Sequence, residues 1–452
     1  MRRAVSVIAL VAGLAAPAWA APKGYVLEAK GSWTSAADEA VRAAGGVVDF
    51  KHGATGLGVV RSENPGFLAS AQASGAFASV TEDVLVQWQP DIRTYELDEA
   101  SINPSDDTFF SNIQWAPQAV SAPAAWNAGC TGSGVRVAIL DGGIYSAHSD
   151  LVANLDVASS RSFVPGFAFN EDTGTFWHGT HVAGIVAGAD NTVGIVGIAP
   201  EATLIGVKVL HSGSGSFGSV ISGILYASTP RAQGGAGADI INMSLGALFP
   251  KSSTGAGPLV AALNKAVNYA GSNGTLVVSA AGNSGLDLDH SGNLISVPAQ
   301  SGAGIAVAAT GPMAFAYGST DFSRPASYTN YGNSAIHVSA PGGDFAYPGN
   351  ENCTLTTTTG SLTRPCWVFD MVLSSSRGTG ASTTTYSWAA GTSMAAPAAS
   401  AVAAIIKQAN PGISLGALKS ALAQSADDVF KPGHDEFSGN GFVNAFRACT
   451  GQ

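Results

Sequence analysis

The sequence predicts an α/β protein in which a mostly parallel sheet lies between layers of helices. From Trp126 onward, apolar segments such as VRVAIL, ADIINMSLG and TLVVSAAGN alternate with segments of helical period such as HVAGIVAGA and PLVAALNKAVNYAG. Continuous apolar strands of this kind are typical of sheets that are covered on both faces. The composition agrees, since 46% of the 452 residues are hydrophobic and 12% are charged, which suits a chain with a large core.

The charge of the chain argues against two classes of partner. Its formal net charge is −10, and it contains no cluster of Lys and Arg residues. Nucleic acids and anionic membrane surfaces both require concentrated positive charge. We therefore expect no nucleic-acid partner and no membrane partner.

The first 20 residues have the pattern of an export signal. Two arginines precede an apolar run from residue 4 to about residue 16, and Ala18-Trp19-Ala20 offers a small-x-small cleavage site. A membrane anchor is the disfavoured alternative, because the run is shorter than the roughly 20 apolar residues that span a bilayer. The sequence predicts a signal peptide over residues 1–20 and a secreted, extracellular chain that starts at Ala21.

A small unit of β-α-β-β-α-β order is predicted between Tyr25 and Trp88. A first strand at YVLEAK precedes a helix at SAADEAVRAA, strands at VVDF and GLGVVRS follow, and a second helix at PGFLASAQAS precedes a last strand at ASVTEDVLVQW. This ferredoxin-like α+β pattern is too small to be the main body of the protein. The polar stretch from Gln89 to about Asp107 predicts a linker.

Three polar residues lie where active sites form in parallel sheets, beyond the ends of strands or at the starts of helices. Asp141 closes VRVAIL, His178 opens HGTHVAG and Ser393 opens SMAAPAASAVAAII. A serine beside glycine is more often structural than catalytic. Acyl transfer by serine, however, requires a general base and a carboxylate that orients it. The three residues supply these roles, which favours catalysis.

Four segments, VAILDGGI, HGTHVAG, SAAGN and GTSMAAP, resemble the signature blocks of the subtilisin-like serine proteases, or subtilases. The chain order Asp, His, Ser also matches this family, whereas α/β-hydrolases and chymotrypsin-like enzymes use other orders. The resemblance runs from about Asp107 to the closing block GNGFVNAF and implies a three-layer subtilisin-like fold. It assigns Asp141 as the orienting carboxylate, His178 as general base and then general acid, and Ser393 as nucleophile.

The same resemblance implies how a polypeptide substrate is held. Asn283 corresponds to the side-chain donor of the oxyanion hole, and the second donor is the backbone N–H of Ser393. If the other blocks were absent, an ordinary turn residue would be the preferred interpretation of Asn283. Substrate pairs with strand edges at Ser244-Leu245-Gly246 and Ala280-Ala281-Gly282. Their small side chains predict a roomy, apolar pocket for the residue before the cleaved bond; the alternative is that they are closely packed strand ends.

No cofactor is expected for catalysis, but the resemblance implies a structural calcium ion. An oxygen shell suits Ca²⁺, and polar residues that cap turns are the alternative explanation. The expected ligands are the side chains of Asp107, Asp150 and Asn191 and the backbone carbonyls of Ala189, Val193 and Ile195.

Four positions near the motifs hold residues that the proposed catalytic roles do not explain. His181 follows His178 at a spacing that lacks the glutamate of H-E-x-x-H zinc sites, so we expect it to support its helix. Gly142, Ala396 and Ala398 depart from the family pattern, which commonly has a hydroxyl residue, a threonine and a histidine there. None of these positions performs the chemistry.

Four cysteines in an exported chain predict two disulfides, for which three connectivities are open. The local pair Cys353 and Cys366 is favoured, which leaves Cys130 with Cys449. The local pair lies in a stretch from Pro341 to Gly391 that is longer than the minimal family pattern. We expect this insertion to be stapled by its disulfide at the rim of the substrate cleft.

The resemblance extends to the domain organisation. It implies a propeptide and linker over residues 21–103, which assists folding, inhibits the enzyme and is removed by self-cleavage between Gln89 and Asp107, and a catalytic domain over residues 104–452. An independent substrate-binding domain is the alternative to a propeptide. The expected protein is a monomeric, secreted serine endopeptidase of broad specificity made as a zymogen; the rivals are an inactive scaffold or binding protein and an esterase or lipase.

Overall fold

A computed structural model describes residues 22–97, 109, 112–174, 176–251, 256–357, 360–377 and 384–452. No helix in this part of the chain is long and apolar enough to cross a membrane. The chain divides into two compact units between Val84 and Leu85. The predicted signal peptide, and the predicted boundary between residues 103 and 104, lie outside the described residues.

The smaller unit is a four-stranded antiparallel sheet with two helices, in the β-α-β-β-α-β order that the sequence predicts. Its sheet order is β2-β3-β1-β4, and Leu27, Val60 and Phe67 are completely buried in its core. Residues three and four apart on one helix face point the same way, which is why Ala37 and Val41 of the first helix are buried. The elements are β1 Lys23–Ala29, α1 Ser35–Ala43, β2 Gly46–His52, β3 Leu57–Ser62, α2 Phe67–Ala73 and β4 Phe77–Glu82.

The larger unit contains the predicted alternation of buried strands and helices. Its first half consists of β5 Leu85–Gln87, β6 Arg93–Glu96, α3 Trp115–Ala119, α4 Ala122–Asn127, β7 Arg136–Asp141, β8 Arg161–Ser162, α5 His178–Ala187, β9 Thr203–Lys208, β10 Ser214–Ser216, α6 Phe217–Ser228 and β11 Ile240–Met243. Its second half consists of β12 Ala247–Pro250, α7 Ala256–Ser272, β13 Leu276–Ala280, β14 Leu294–Val297, β15 Ile305–Thr310, β16 Val338–Pro341, β17 Asn352–Thr357, β18 Gly360–Pro365, β19 Val372–Arg377, β20 Thr384–Ala390, α8 Thr392–Ala409, α9 Leu415–Gln424 and α10 Ala445–Thr450.

A seven-stranded sheet in the order β16-β15-β13-β11-β7-β9-β8 forms the middle layer, and its neighbouring strands pair in parallel. Helices α5 and α8 pack against each other and against the sheet, as do α6 and α7. The result is a three-layer α/β fold, as predicted. In α8, every residue from Thr392 to Ile406 is buried, because its alanines allow close approach to the strands.

The stretch predicted as a linker contains a strand instead. The segment 85–97 belongs to the larger unit, where β5 pairs with β10 and β6 pairs with β20, both antiparallel. The predicted strand ASVTEDVLVQW is therefore two strands, β4 and β5, with separate partners. The prediction was wrong here because it used local composition, whereas the partner strands come from distant parts of the chain.

Both disulfides of the favoured connectivity are present. Cys130 is bonded to Cys449, which joins the end of α4 to α10, and Cys353 is bonded to Cys366. The second bond closes the base of the hairpin formed by β17 and β18, whose first and last residues pair as Asn352 with Pro365. The predicted staple is thus present, and it closes one hairpin of the longer stretch, which also contains β19 and β20.

Candidate active site

Asp141 and His178 lie in direct contact. Asp141 is the last residue of the central strand β7, and His178 is the first residue of α5. The Nδ1 atom of His178 lies 2.8 Å and 3.0 Å from the two carboxylate oxygens of Asp141, and each side chain is only 1% exposed. A buried carboxylate in this position fixes the imidazole orientation and directs Nε2 away from itself.

Ser393 is the second residue of α8, and its hydroxyl is hydrogen-bonded to a residue other than His178. The Ser393 Oγ–H donates to the carbonyl of Ser244 at 3.2 Å, while Nε2 of His178 is buried and has no hydrogen-bond partner among the described residues. The structure therefore brings together two of the three predicted residues by hydrogen bonding. The third lies at the start of a helix that packs against α5, and its hydroxyl is hydrogen-bonded to the Ser244 carbonyl instead.

Asn283 is held so that its amide points at a carbonyl. Its Oδ1 accepts from the backbone N–H and the hydroxyl of Thr392, at 2.9 Å and 2.7 Å. Its Nδ2 donates to the backbone carbonyl of Asp91 at 3.0 Å. Oδ1 is thereby fixed as the acceptor and Nδ2 as the donor, which is the orientation an oxyanion donor needs.

The segment before Asp91 occupies a groove in the larger unit. The N–H of Gly246 donates to the carbonyl of Trp88 at 2.8 Å, and the N–H of Trp88 donates to Gly213 at 3.0 Å. The predicted edge at Ser244-Leu245-Gly246 therefore contacts an extended peptide, which is part of this chain. At the second predicted edge, the N–H of Gly282 donates to the hydroxyl of Thr392, while Ala280 and Ala281 are buried.

Trp88 is the buried side chain of this segment. It is completely buried, its indole N–H donates to the carbonyl of Gly215 at 3.0 Å, and its ring lies 4.9 Å from that of Phe217 and 5.9 Å from that of Phe249. Aromatic rings at such separations attract one another and bury large apolar areas. The groove thus contains an aromatic pocket that holds Trp88, three residues before Asp91. The sequence did not predict this pocket.

Beyond Asp91, the segment continues past the start of α8. A side chain at Gly391 would place its Cβ 2.8 Å from the Cγ2 atom of Ile92, so the absence of a side chain at Gly391 makes room for Ile92. Arg93 then pairs with Ala390 in the β6–β20 ladder. The peptide bond between Asp91 and Ile92 accordingly lies between the groove and the N-terminus of α8.

Gly142 lacks the hydroxyl side chain that the family commonly has at this position, and another side chain fills that space. A Cβ at Gly142 would lie 2.3 Å from Oδ2 of Asp172, so the Asp172 carboxylate occupies the space that a hydroxyl side chain would take. Lys208, completely buried, donates to the carbonyl of Gly142 and, at 2.7 Å, to that of Leu210. Burial lowers the pKa of Lys208, and the carboxylates of Asp172 and Asp141 oppose that shift. Lys208 was not predicted, although a lone lysine in the apolar stretch LIGVKVL was a usable signal.

The proposed calcium ligands in the described residues surround a buried carboxylate. Asp150 is completely buried, and its Oδ2 accepts from the N–H of Ile195 at 3.0 Å. Burial raises the pKa of Asp150 to about 6. The Asn191 amide donates to Ser149, and its Oδ1 accepts from the N–H of Val193. The N–H of Ala189 donates to the backbone carbonyl of Asp150, which ties this loop to the backbone beside the carboxylate. Asp107 lies outside the described residues.

His181 is a buried, structural histidine. Its Nε2 lies 2.9 Å from the carbonyl of Ser387, and burial lowers its pKa to about 3. A neutral imidazole bonded to backbone fits the predicted support of the helix. The described residues contain no group of three His, Cys, Asp or Glu side chains that could hold a metal ion.

A parallel sheet between two layers of helices carries the buried His178–Asp141 pair, and Ser393 lies in the first turn of the helix that packs against α5. This fold and pair are typical of serine-type endopeptidases of the α/β class. A family model described as the subtilase family matches residues 132–441, and the chain belongs to this family. M-protease from Shouchella clausii (strain KSM-K16) is 35% identical over 362 residues, which cover 78% of this chain and 76% of that protein. Subtilisin Savinase from Lederbergia lenta is 36% identical over 337 residues, or 74% of this chain and 97% of that protein. A solved protease of Pseudoalteromonas arctica PAMC 21717 has a TM-score of 0.59 at 31% identity, covering 77% of this chain and 99% of that one.

Proposed function

We propose that the protein is a secreted endopeptidase that removes its own propeptide and cleaves polypeptides with Asp141, His178 and Ser393. In this mechanism the Ser393 hydroxyl rotates from the Ser244 carbonyl to Nε2 of His178, which takes its proton as Oγ attacks the substrate carbonyl. Asp141, bonded to Nδ1, stabilises the imidazolium that forms. The Asn283 amide and the Ser393 N–H donate to the resulting oxyanion.

The remaining steps restore the enzyme. The imidazolium gives its proton to the nitrogen of the departing amine as the peptide C–N bond breaks, which leaves an ester on Oγ of Ser393. His178 then takes a proton from water, whose oxygen attacks the ester carbonyl, and returns it to Oγ as the carboxylic acid product leaves. The N-terminus of α8 favours the negative charge at each tetrahedral stage.

One observation carries the proposal: Nδ2 of Asn283 donates to the carbonyl of Asp91 at 3.0 Å. A donor of this kind acts on the carbonyl of the bond that is cleaved. The residues before Asp91 pair with the groove and those after Ile92 pair with β20, as an extended substrate does. We therefore assign the Asp91–Ile92 bond as the site of self-cleavage, inside the interval predicted from the sequence, and residues 21–91 as the propeptide, which blocks the groove until it leaves.

The same contacts support a substrate preference. Asp91 is exposed, whereas Trp88 is buried in the aromatic pocket. We expect selection for a large aromatic or apolar residue three positions before the residue that supplies the cleaved carbonyl. The chain's own site has the acid Asp91 as that last residue, so it does not follow the apolar preference that the sequence predicts there.

Self-cleavage is tested on the full chain expressed with its signal. We expect secreted protein to begin at Ile92, and the Ser393→Ala variant to accumulate as a precursor that begins at Ala21. Ser420→Ala, which removes an exposed serine from α9, is the control and should process normally. N-terminal sequencing and intact mass give the answer. Equal processing of the Ser393→Ala variant would show that Ser393 is not the nucleophile, and no processing of the parent would favour the inactive binding protein.

We also propose that a structural calcium ion binds at Asp150 and Asn191, together with Asp107 and the carbonyls of Ala189, Val193 and Ile195. The donors fit in chemical type, because Asp150 is a fully buried carboxylate and the other expected ligands are carboxylate, amide and carbonyl oxygens. Buried charges normally have a partner, and Ca²⁺ accepts carboxylate, amide and carbonyl oxygens. When bound, the ion would supply a positive charge beside this carboxylate.

Removal of calcium is expected to destabilise the protein. With calcium at roughly 100 times its Kd, EGTA should lower the free energy of unfolding by about 3 kcal/mol, measured by thermal unfolding in the Ser393→Ala background. Asp150→Asn should remove most of this response. Asp321→Asn, which neutralises an exposed carboxylate, should retain it. An equal EGTA response in the Asp150 variant would rule out this site.

A further inference from the structure

Trp367 lies beside the segment that follows the assigned cleavage site. It directly follows Cys366, at the end of the disulfide-closed hairpin, and is half-buried. The guanidinium carbon of Arg93 lies 4.7 Å from the centroid of its ring. The ring of Tyr95 meets the same indole edge-on, with the centroids 6.0 Å apart. Within about 6 Å of a tryptophan face, a guanidinium is attracted by the negative ring face.

The register fixes which substrate position this contact serves. Arg93 pairs with Ala390, three residues before Ser393, and Ile92 adjoins Gly391. With Asp91–Ile92 as the cleaved bond, Arg93 is the second residue on the side of the departing amine. The aromatic face of Trp367 therefore lies at the position of that second residue.

The backbone around Trp367 is well anchored. Its two following residues, Val368 and Phe369, are completely buried. The N–H of Cys366 donates to the backbone carbonyl of Glu351 at 3.0 Å, and the N–H of Asp370 donates to the backbone carbonyl of Trp367 at 3.3 Å. Together with the Cys353–Cys366 bond, these contacts fix the backbone that carries the indole before a substrate arrives, so little backbone ordering is needed when a cation binds.

We propose that Trp367 forms a substrate subsite that selects a cationic residue, arginine in preference to lysine, at the second position after the cleaved bond. Arginine is favoured because its planar guanidinium stacks on an aromatic face and is more weakly hydrated than an ammonium group. This inference rests on the proposed function and adds a specificity determinant that lies in the inserted hairpin region. It applies to the chain's own segment and, once the new N-terminus from Ile92 has left β20, to substrates cleaved in trans.

The test uses processed protein and two quenched fluorescent peptides. Both contain the sequence Trp-Gln-Pro-Asp-Ile followed by either arginine or citrulline, the neutral isostere of arginine. We expect kcat/KM for the arginine peptide to exceed that for the citrulline peptide by about three- to tenfold. In Trp367→Leu the ratio should fall to about one through loss of the arginine rate alone. Trp367→Phe, with a weaker aromatic face, should give an intermediate ratio.

Each ratio compares two substrates in one enzyme preparation, so a variant that folds poorly does not distort it. A ratio near one in the parent, or an unchanged ratio in Trp367→Leu, would overturn the subsite. So would cleavage of neither peptide by protein that has processed itself, since the contact would then serve only the precursor. These results differ from failure of the proposed function, in which Ser393-dependent processing at Asp91–Ile92 is itself absent.

Discussion

His178→Ala is expected to lower kcat by about 10⁶-fold, which brings self-processing below detection. Knocking out the histidine of such a triad costs about as much as removing the whole triad, because the serine then has no base and the departing amine has no acid. The structure supplies the physical reason: Nδ1 of His178 is held 2.8 Å from Asp141, and its free Nε2 is the acceptor available for the Ser393 proton. The measurement is the rate at which purified precursor is converted to mature protein.

The matched control removes another imidazole from the same helix. His181 is also buried in α5, but its Nε2 is bonded to the backbone of Ser387. We expect His181→Ala to lose stability while its folded fraction, determined by circular dichroism, processes within about tenfold of the parent rate. If the His178 variant processed at a comparable rate, the assignment of His178 as general base would be wrong.

The parts of the fold that were predictable depend on local patterns. Apolar strands without alternation predicted a sheet covered on both faces, and β7, β11 and β13 are such strands, with every residue of β13 buried. Asp141 and His178 were predictable because each follows or begins an element whose pattern is clear. Their contact confirms that strand ends and helix starts of this fold meet at one edge of the sheet.

The parts that were missed depend on contacts between distant segments or on rotamers. Residues 89–97 look like a linker because they are polar and contain proline, yet Arg93 pairs with Ala390, a partner that local composition does not reveal. The Ser393 hydroxyl bonds to Ser244 instead of His178, and a choice among staggered side-chain rotamers leaves no mark on the sequence. Lys208 was visible as a charge in an apolar strand, but its acceptor, the carbonyl of Gly142, lies 66 residues away.

The second large effect is the loss of stability expected when Lys208 is substituted. Substitution by methionine, which keeps the length and bulk of the side chain, is expected to lower the free energy of unfolding by about 3–5 kcal/mol. Removing one partner from a buried set of charges leaves the others uncompensated in a medium of low dielectric constant. Here the carboxylates of Asp172 and Asp141 remain, and both act on the pKa of Lys208 in the present structure. The carbonyls of Gly142 and Leu210 also lose their donor.

Lys419→Met separates the charge effect from the loss of carbonyl bonds. The Lys419 ammonium also donates to backbone carbonyls, those of Ala303 and Gly304, but burial alone shifts its pKa, downward, with no contribution from a carboxylate. We expect this variant to lose only about 1 kcal/mol. Urea unfolding of both variants in the Ser393→Ala background, where self-digestion is absent, measures the difference. Equal losses would mean that Lys208 acts through its carbonyl bonds, and that the carboxylates beside Gly142 need no buried cation.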